Sequence, residues 1–362
     1  MRPLLDIPQK ELEVWFRDHG EPAMRARQVR RWLLVGRAES FQEMTDLPVN
    51  LRTVLASEFS LFEAQIARHL TANDGTHKLL VRLADNQLIE CVLIQEDDRR
   101  TACISTQVGC GMGCVFCASG IGGVVRNLNV GEILEQLLRL RNLLPAEERL
   151  NHIVVMGMGE PLANLDNLIA ALEVATAKDG LGIGARHVTI STVGLPIRIR
   201  RLADLGKQYH LAVSLHAPHD ALRSQIVPTN DKTGLPAILE AADYFFEKTG
   251  RQVTYEYVLL GGVNDSSENA DELARLLRGR HAHVNLIPFN PVKGLPYHRP
   301  PDDVLTEFVA RLRRHGVGVK VRKRKGSEID AACGQLRRSE SATASAEDQA
   351  AFPSALIPLK VT

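Results

Sequence analysis

From Thr101 to about residue 322 the chain alternates short β-branched runs with amphipathic helical stretches, and this alternation constrains the fold more than any other feature. The runs fall at 102–106, 153–156, 187–191, 211–215, 253–260 and 284–288, with one more strand offered by 317–322. Between them, Asn129 and Glu132 make a capping-box start for a helix over 130–144 that Pro145 ends. Its apolar face is Ile133, Leu134, Leu137, Leu138 and Leu140; 236–249 and 302–315 read the same way. Strands separated by helices pair in parallel, with the helices as crossovers. Six such units predict an α/β fold, a partial (β/α)6 barrel of the TIM type and not an open dinucleotide-binding sheet. In such barrels functional residues collect at the carboxyl ends of the strands.

The flanks read differently. Residues 1–62 predict a small helical domain, with segments around Glu11–Phe16, 24–34 and 51–59. Arginines 25, 27, 30 and 31 stripe the second segment, which suits a solvated face or a phosphate-contacting surface equally well. Residues 63–96 predict a connecting β-hairpin, with strands at 79–83 and 88–94 around Asp85-Asn86. The barrel is expected over 97–337. A tail over 338–362, rich in serine, alanine and acidic residues, is expected to be disordered. With 44 Lys and Arg against 43 Asp and Glu, overall charge argues neither for nor against a polyanionic partner. No signal peptide or membrane span is evident, so a cytoplasmic, reducing setting and a monomer are expected.

In that setting cysteines serve metals or redox chemistry. Cys110, Cys114 and Cys117 stand in a C-x3-C-x2-C run directly after the first barrel strand. Structural zinc takes four ligands, usually as two close pairs, and no fourth cysteine or histidine lies nearby. A disulfide framework does not suit a chain of this length. Three thiolates can instead hold a cubane 4Fe-4S cluster and leave one iron without a protein ligand. The strand ends carry further polar groups. The second strand runs into Gly157-Met-Gly-Glu-Pro161, where glycines admit a ligand close to the backbone and Glu160 would accept an ammonium. The third ends at Ser191-Thr-Val-Gly194, the fourth at Ser214-Leu-His216, the sixth at Pro288-Phe-Asn290. One ligand across the barrel mouth would touch all of them. Glu90, inside a strand among apolar neighbours, is either a solvent-facing residue or a buried base. Cys91 beside it points the other way and reads as core. The basic run at 320–325 reads as a strand-edge device or, beside a nucleic-acid site, as a phosphate contact.

The cysteine loop resembles that of the radical S-adenosylmethionine superfamily. The match narrows with Gln107-Val-Gly-Cys110, Arg126-Asn-Leu128, Met156-Gly-Met-Gly-Glu-Pro-Leu162, Ser214-Leu-His-Ala-Pro218, Glu256-Tyr-Val258, Asn285-Leu-Ile-Pro-Phe-Asn-Pro291 and Ile329-Asp-Ala-Ala-Cys-Gly-Gln-Leu336. Together these resemble the RlmN/Cfr family of RNA adenine methyltransferases, over roughly residues 5 to 337. The resemblance implies one 4Fe-4S cluster on Cys110, Cys114 and Cys117. It places S-adenosylmethionine, two molecules per turnover, against Gly159, Glu160, Ser191, Ser214, Leu215, His216 and Asn290. It makes Cys333 the cysteine that becomes S-methylated, Cys103 its transient disulfide partner and Glu90 the proton acceptor. The implied substrate is an adenine of 23S ribosomal RNA near the peptidyl-transferase centre, and for some members a transfer RNA, with an external electron donor. Carbon 2 of the base is the expected target. Carbon 8 is the competing reading, because Gly111-Met-Gly113 and Ala118-Ser119-Gly120 depart from the usual carbon-2 pattern. A non-catalytic iron–sulfur RNA-binding protein is the alternative outside the enzyme class.

Overall fold

The computed structural model describes residues 1–292 and 294–336. The tail expected over 338–362 lies outside the described residues.

Three helices open the chain: α1 (Gln9–Asp18), α2 (Met24–Leu34) and α3 (Val49–Glu58). A proline precedes both α1 and α3, where its fixed φ suits a helix start and its missing N–H costs nothing. The inward faces are Leu12, Trp15 and Phe16 on α1, Ala26, Val29, Leu33 and Leu34 on α2, and Leu51 and Leu55 on α3. The arginine stripe of α2 divides in two. Arg27 and Arg31 are exposed, whereas Arg25 and Arg30 are half-buried and donate to the carbonyls of Asp46 and Ile7.

Ten strands form one sheet. They are β1 (Gln65–Thr71), β2 (His77–Arg82), β3 (Leu88–Glu96), β4 (Arg99–Cys103), β5 (His152–Val155), β6 (Val188–Thr192), β7 (His210–Ser214), β8 (Val253–Leu259), β9 (Ala282–Pro288) and β10 (Gly318–Val321). From β4 to β10 every strand pairs in parallel with the next one in sequence. A doubly wound sheet would reverse its order at a switch point; an order without reversal is that of a barrel wall. Helices α4 (Val130–Asn142), α5 (Leu165–Thr176), α6 (Pro196–Asp204), α7 (Asp220–Ile226), α8 (Leu235–Thr249), α9 (Ser267–Leu276) and α10 (Asp302–Arg314) fill the crossovers. Six βα units and a seventh strand result. The capping box at Asn129 and Glu132 is present, with the Asn129 Oδ1 accepting from Glu132 N at 2.7 Å.

Two details depart from the sequence reading. The first barrel strand ends at Cys103, not Thr106. Ile104 N still donates to Val154 O of β5, and Thr106 N donates to Met158 O, past the end of β5. The hairpin gains a strand, β1, and joins the barrel wall directly, because β3 pairs antiparallel with β4.

The helical region is fastened to the barrel through α4. Arg141 lies buried and donates to the carbonyls of Leu33 (3.1 Å) and Leu34 (2.5 Å), the otherwise orphaned C-terminal acceptors of α2. At the other end of α4, Asp6 Oδ1 accepts from Gly131 N at 2.6 Å. No helix among the described residues is long and apolar enough to cross a membrane.

Candidate active site

The cysteine loop leaves the barrel through a small ribbon, Gln107–Gly109 paired with Val124–Asn127. It is held from three sides. Cys110 N donates to Gly123 O at 3.1 Å, Val115 N to Ile226 O of α7 at 3.1 Å, and Ala118 N to Gly334 O at 2.8 Å. Phe116, between the second and third cysteines, meets the His216 ring edge-on at 4.8 Å. Burial, with mutual repulsion adding, pushes the thiols up, Cys110 to about 12 and Cys114 and Cys117 also upward. Loading a metal group must therefore displace protons. No three His, Cys, Asp or Glu side chains among the described residues converge on a point that one ion would fill. Three neighbouring thiols with no fourth on their loop suit a polynuclear cluster better than a zinc knuckle.

The second strand end is built for close approach. Gly159 has φ 102°, and a Cβ there would lie 2.7 Å from the Gln107 Cβ, so only glycine lets the two backbones meet. Glu160 follows, wholly buried. Its carboxylate accepts from Thr192 Oγ1 (2.7 Å), Val193 N (2.8 Å) and Leu162 N (3.0 Å). Burial raises its pKa and these three donors oppose the rise. The carboxylate is thus held rigidly at the mouth, near enough to Cys110 and Cys114 to act on their charge.

His216 stands two residues past the end of β7 in a left-handed conformation, φ 62°, which a non-glycine residue adopts only under constraint. Its Nδ1 accepts from Val258 N at 3.1 Å, and its carbonyl accepts from Asn264 Nδ2 at 2.7 Å. Burial pulls its pKa down to about 3, so the ring is neutral. Beneath it, Arg223 of α7 gathers Leu215 O (3.0 Å), Ser214 O (2.9 Å), Val193 O (2.5 Å) and Asn230 Oδ1 (2.6 Å). The Ser214 and Leu215 carbonyls are thereby occupied, and the Leu215 side chain sits in the core. Ser191, on β6, lies opposite Ala212 and stays partly accessible.

The last described residues run across this mouth. Asn290 Nδ2 donates to Cys333 O at 3.2 Å, Gln335 Nε2 to Pro291 O at 2.9 Å, and Ser119 Oγ to Leu336 O at 2.7 Å. The Cys333 segment is thus tied directly to the cysteine loop, more than 200 residues away in sequence. The Asn290 amide, expected against S-adenosylmethionine, is engaged by Cys333.

The radical SAM superfamily profile matches residues 104–275, and the ribosomal RNA large subunit methyltransferase N-terminal domain matches 3–61. A probable dual-specificity RNA methyltransferase RlmN of Rhodopirellula baltica is 56% identical over 336 residues, covering 93% of this chain and 91% of that protein. The corresponding Geobacillus thermodenitrificans protein is 47% identical, covering 91% of each. The crystal structure of a radical SAM methyltransferase from Sphaerobacter thermophilus superposes with a TM-score of 0.91 at 43% identity, over 94% of this chain and all of that one. The chain belongs to the RlmN family. It is a radical SAM RNA methyltransferase, which uses an iron–sulfur cluster and S-adenosylmethionine.

Against that RlmN background the remaining residues take their places. Cys103 ends β4, buried, and its thiol is pushed up to about 12 by burial and by the nearby Cys333. Arg322, just past β10, sets Nη1 3.5 Å from Met156 Sδ, and its pKa is raised, chiefly by Cys333, with Glu256 and Cys103 adding. The basic run at 320–325 therefore does not all face outward. Lys320, Lys323 and Arg324 are exposed, while Arg322 is only partly so and reaches Met156 Sδ. Glu90 is buried, and Lys78 Nζ lies 2.9 Å from its Oε1. Cys91 is fully buried in the core. Sequence reasoning missed Lys78 and Arg223, and read Arg322 only as one member of the basic run. The hairpin register pairs Lys78 with Val92 and Leu80 with Glu90, so the lysine and the carboxylate share one face, a relation that Asp85-Asn86 as the turn already implied. Arg223 has no sequence signal, since an arginine in a short polar helix reads as surface.

Proposed function

We propose that this chain methylates carbon 2 of an adenine in 23S ribosomal RNA, at the peptidyl-transferase centre, and in transfer RNA, with Cys333 carrying the carbon. The observation that carries this reading is the seam between the two cysteine-bearing segments, Ala118 N to Gly334 O at 2.8 Å and Ser119 Oγ to Leu336 O at 2.7 Å. A carrier sulfur must work within reach of the radical site, and a seam of this kind supports that reading. The dual-specificity names of the relatives support the two RNA classes.

Cys110, Cys114 and Cys117 would hold a 4Fe-4S cluster that, when bound, supplies the electron for cleaving S-adenosylmethionine. Gly159, Glu160, Ser191, Ser214, Leu215, His216 and Asn290 would seat that cofactor, with the rigid Glu160 carboxylate taking its ammonium. Two molecules serve each turnover, one as methyl source for Cys333 and one for the radical step. Arg322 opposes the rise that burial gives the Cys103 thiol, and the thiolate is the nucleophilic form of cysteine. The Cys333 sulfur accepts the methyl group, a hydrogen is removed from it, and the carbon joins the adenine ring. Glu90 takes the displaced ring proton. Cys103 attacks the Cys333 sulfur; the C–S electron pair stays with the transferred carbon, which takes up a proton as methylated RNA leaves. The unpaired electron of the radical step would return to the oxidised cluster, and an external reductant reopens the Cys103–Cys333 disulfide. The base must reach the mouth unstacked, as in a single-stranded or looped region.

The test is anaerobic reconstitution with iron and sulfide, followed by assay on unmodified ribosomal RNA fragments and transfer RNA. Nucleoside mass spectrometry is expected to find 2-methyladenosine; 8-methyladenosine would transfer the chain to the other branch. Cys333→Ala is expected to keep its iron and yield no methylated RNA. Product from that variant would end the carrier scheme.

A further inference from the structure

Lys78 occupies a place that a lysine rarely tolerates. It lies on β2, 6% exposed, and an ammonium in such a place is costly unless paired. Its Nζ stands 2.9 Å from Glu90 Oε1 on the neighbouring strand and 3.2 Å from the carbonyl oxygen of Asp330, three residues before Cys333. The two contacts run to different parts of the site, one to a carboxylate in the barrel wall and one to the segment bearing the reactive sulfur. The rest of the same hairpin turn grips that segment too. Asp74 Oδ2 accepts from Gly326 N at 3.0 Å, and Glu328 accepts from Asn73 N (3.3 Å) and Asn73 Nδ2 (3.2 Å). A Cβ on Gly326 would lie 2.9 Å from Thr76 Cγ2 and 2.7 Å from the Ala331 Cβ, so the junction is closely packed. Residues 73–78 thus form a floor on which 326–331 rests, and Lys78 joins that floor to Glu90.

We infer that Lys78 is a positioning residue that keeps Glu90 charged and oriented as proton acceptor while clamping the Cys333 segment through Asp330. The inference rests on the roles of Glu90 and Cys333 given above. An ammonium 2.9 Å away favours the ionised carboxylate where solvent is excluded. When the ring proton passes to a Glu90 oxygen, its C–H electron pair stays with the ring and the carboxylate becomes neutral. The Lys78 ammonium then loses that counter-charge and keeps the Asp330 carbonyl. Proton removal is thereby felt by the segment that must next yield its sulfur to Cys103.

Lys78→Met, Glu90→Gln and the double variant are compared with wild type. The first readout needs no cluster: the rate at which iodoacetamide alkylates Cys333 in the folded, cluster-free protein, followed by peptide mass spectrometry. Loss of a charged hydrogen bond to the segment is expected to speed alkylation about tenfold in Lys78→Met. The second is a single turnover on RNA, scoring methylated Cys333, protein-linked RNA on a denaturing gel, and released product. Lys78→Met is expected to methylate Cys333 as wild type does and to clear protein-linked RNA at least about tenfold more slowly. The double variant is expected to be no slower than Glu90→Gln alone, because Lys78 acts through Glu90. Wild-type alkylation with wild-type clearance overturns the inference. Multiplying effects in the double variant overturn it as well, since they mark an independent structural role. Should Lys78→Met lose its fold, Lys78→Arg replaces it: clearance near the wild-type rate supports coupling through the charge, and slow clearance refutes it. If wild type forms neither methylated Cys333 nor linked RNA, the carrier scheme fails, while the alkylation rates still decide whether Lys78 clamps the segment.

Discussion

Replacing Arg223 with methionine tests how the cysteine loop is supported. Arg223 is 1% exposed and donates to four neutral oxygens that end β6, end β7 and open the turn after α7. Burial lowers its pKa to about 10, so it is charged at neutral pH. Methionine fills most of the volume but satisfies none of the four acceptors. A buried acceptor left unmet costs about 1–3 kcal/mol. Four would cost roughly 4–12 kcal/mol, offset by several kcal/mol because a buried charge no longer needs desolvating. The net is a loss of about 4 kcal/mol, near the top of what one substitution does. With a urea m-value of about 3 kcal/mol/M, the unfolding midpoint of the cluster-free protein should fall by about 1 M. Because α7 also backs the loop through Val115 N and Ile226 O, iron bound after reconstitution should fall with it. A midpoint within about 0.2 M of wild type, with full iron content, would show that these carbonyls find other donors and that the hub argument is wrong.

Other perturbations follow from the same geometry. His216 has a depressed pKa, so below about pH 6.5 the unfolded chain binds a proton that the folded chain refuses, and stability falls as pH drops toward 3. Between pH 6.5 and 5 the loss should reach about 2 kcal/mol in urea titrations of the cluster-free protein, and His216→Asn should remove that slope. Gly159→Ala drives a Cβ to 2.7 Å from Gln107 at φ 102°, and is expected to cost about 1–3 kcal/mol and to weaken S-adenosylmethionine binding measured by calorimetry. Lys323→Glu with Arg324→Glu, both exposed, should weaken RNA binding and lower the salt slope by about 2, whereas an unchanged slope would mark the run as a solubility device.

Much of the architecture was legible in the chain because its signals are local. Periodicity placed the βα units, the box at Asn129 and Glu132 placed the start of α4, and cysteine spacing marked the loop of three thiols. Boundaries slipped where tertiary pairing overrode them. Ile104 and Thr106 are β-branched and read as strand, yet the strand ends at Cys103 and Thr106 N bonds to Met158 O, past the end of β5. The edge strand β1 was missed because it is exposed along nearly all its length and carries no alternation.

The sequence by itself determined the fold class, the thiol triad and the set of polar strand ends, since each depends on residue type and spacing over a few neighbours. Only the tertiary structure decided which distant groups meet. It set Gly334 against Ala118, drew Arg322 out of a basic run to Met156, buried Arg223 under three strand-end carbonyls, and paired Lys78 with Glu90. Such pairings answer to burial: a charge or carbonyl removed from water must find its partner in the folded chain, and no local pattern names that partner.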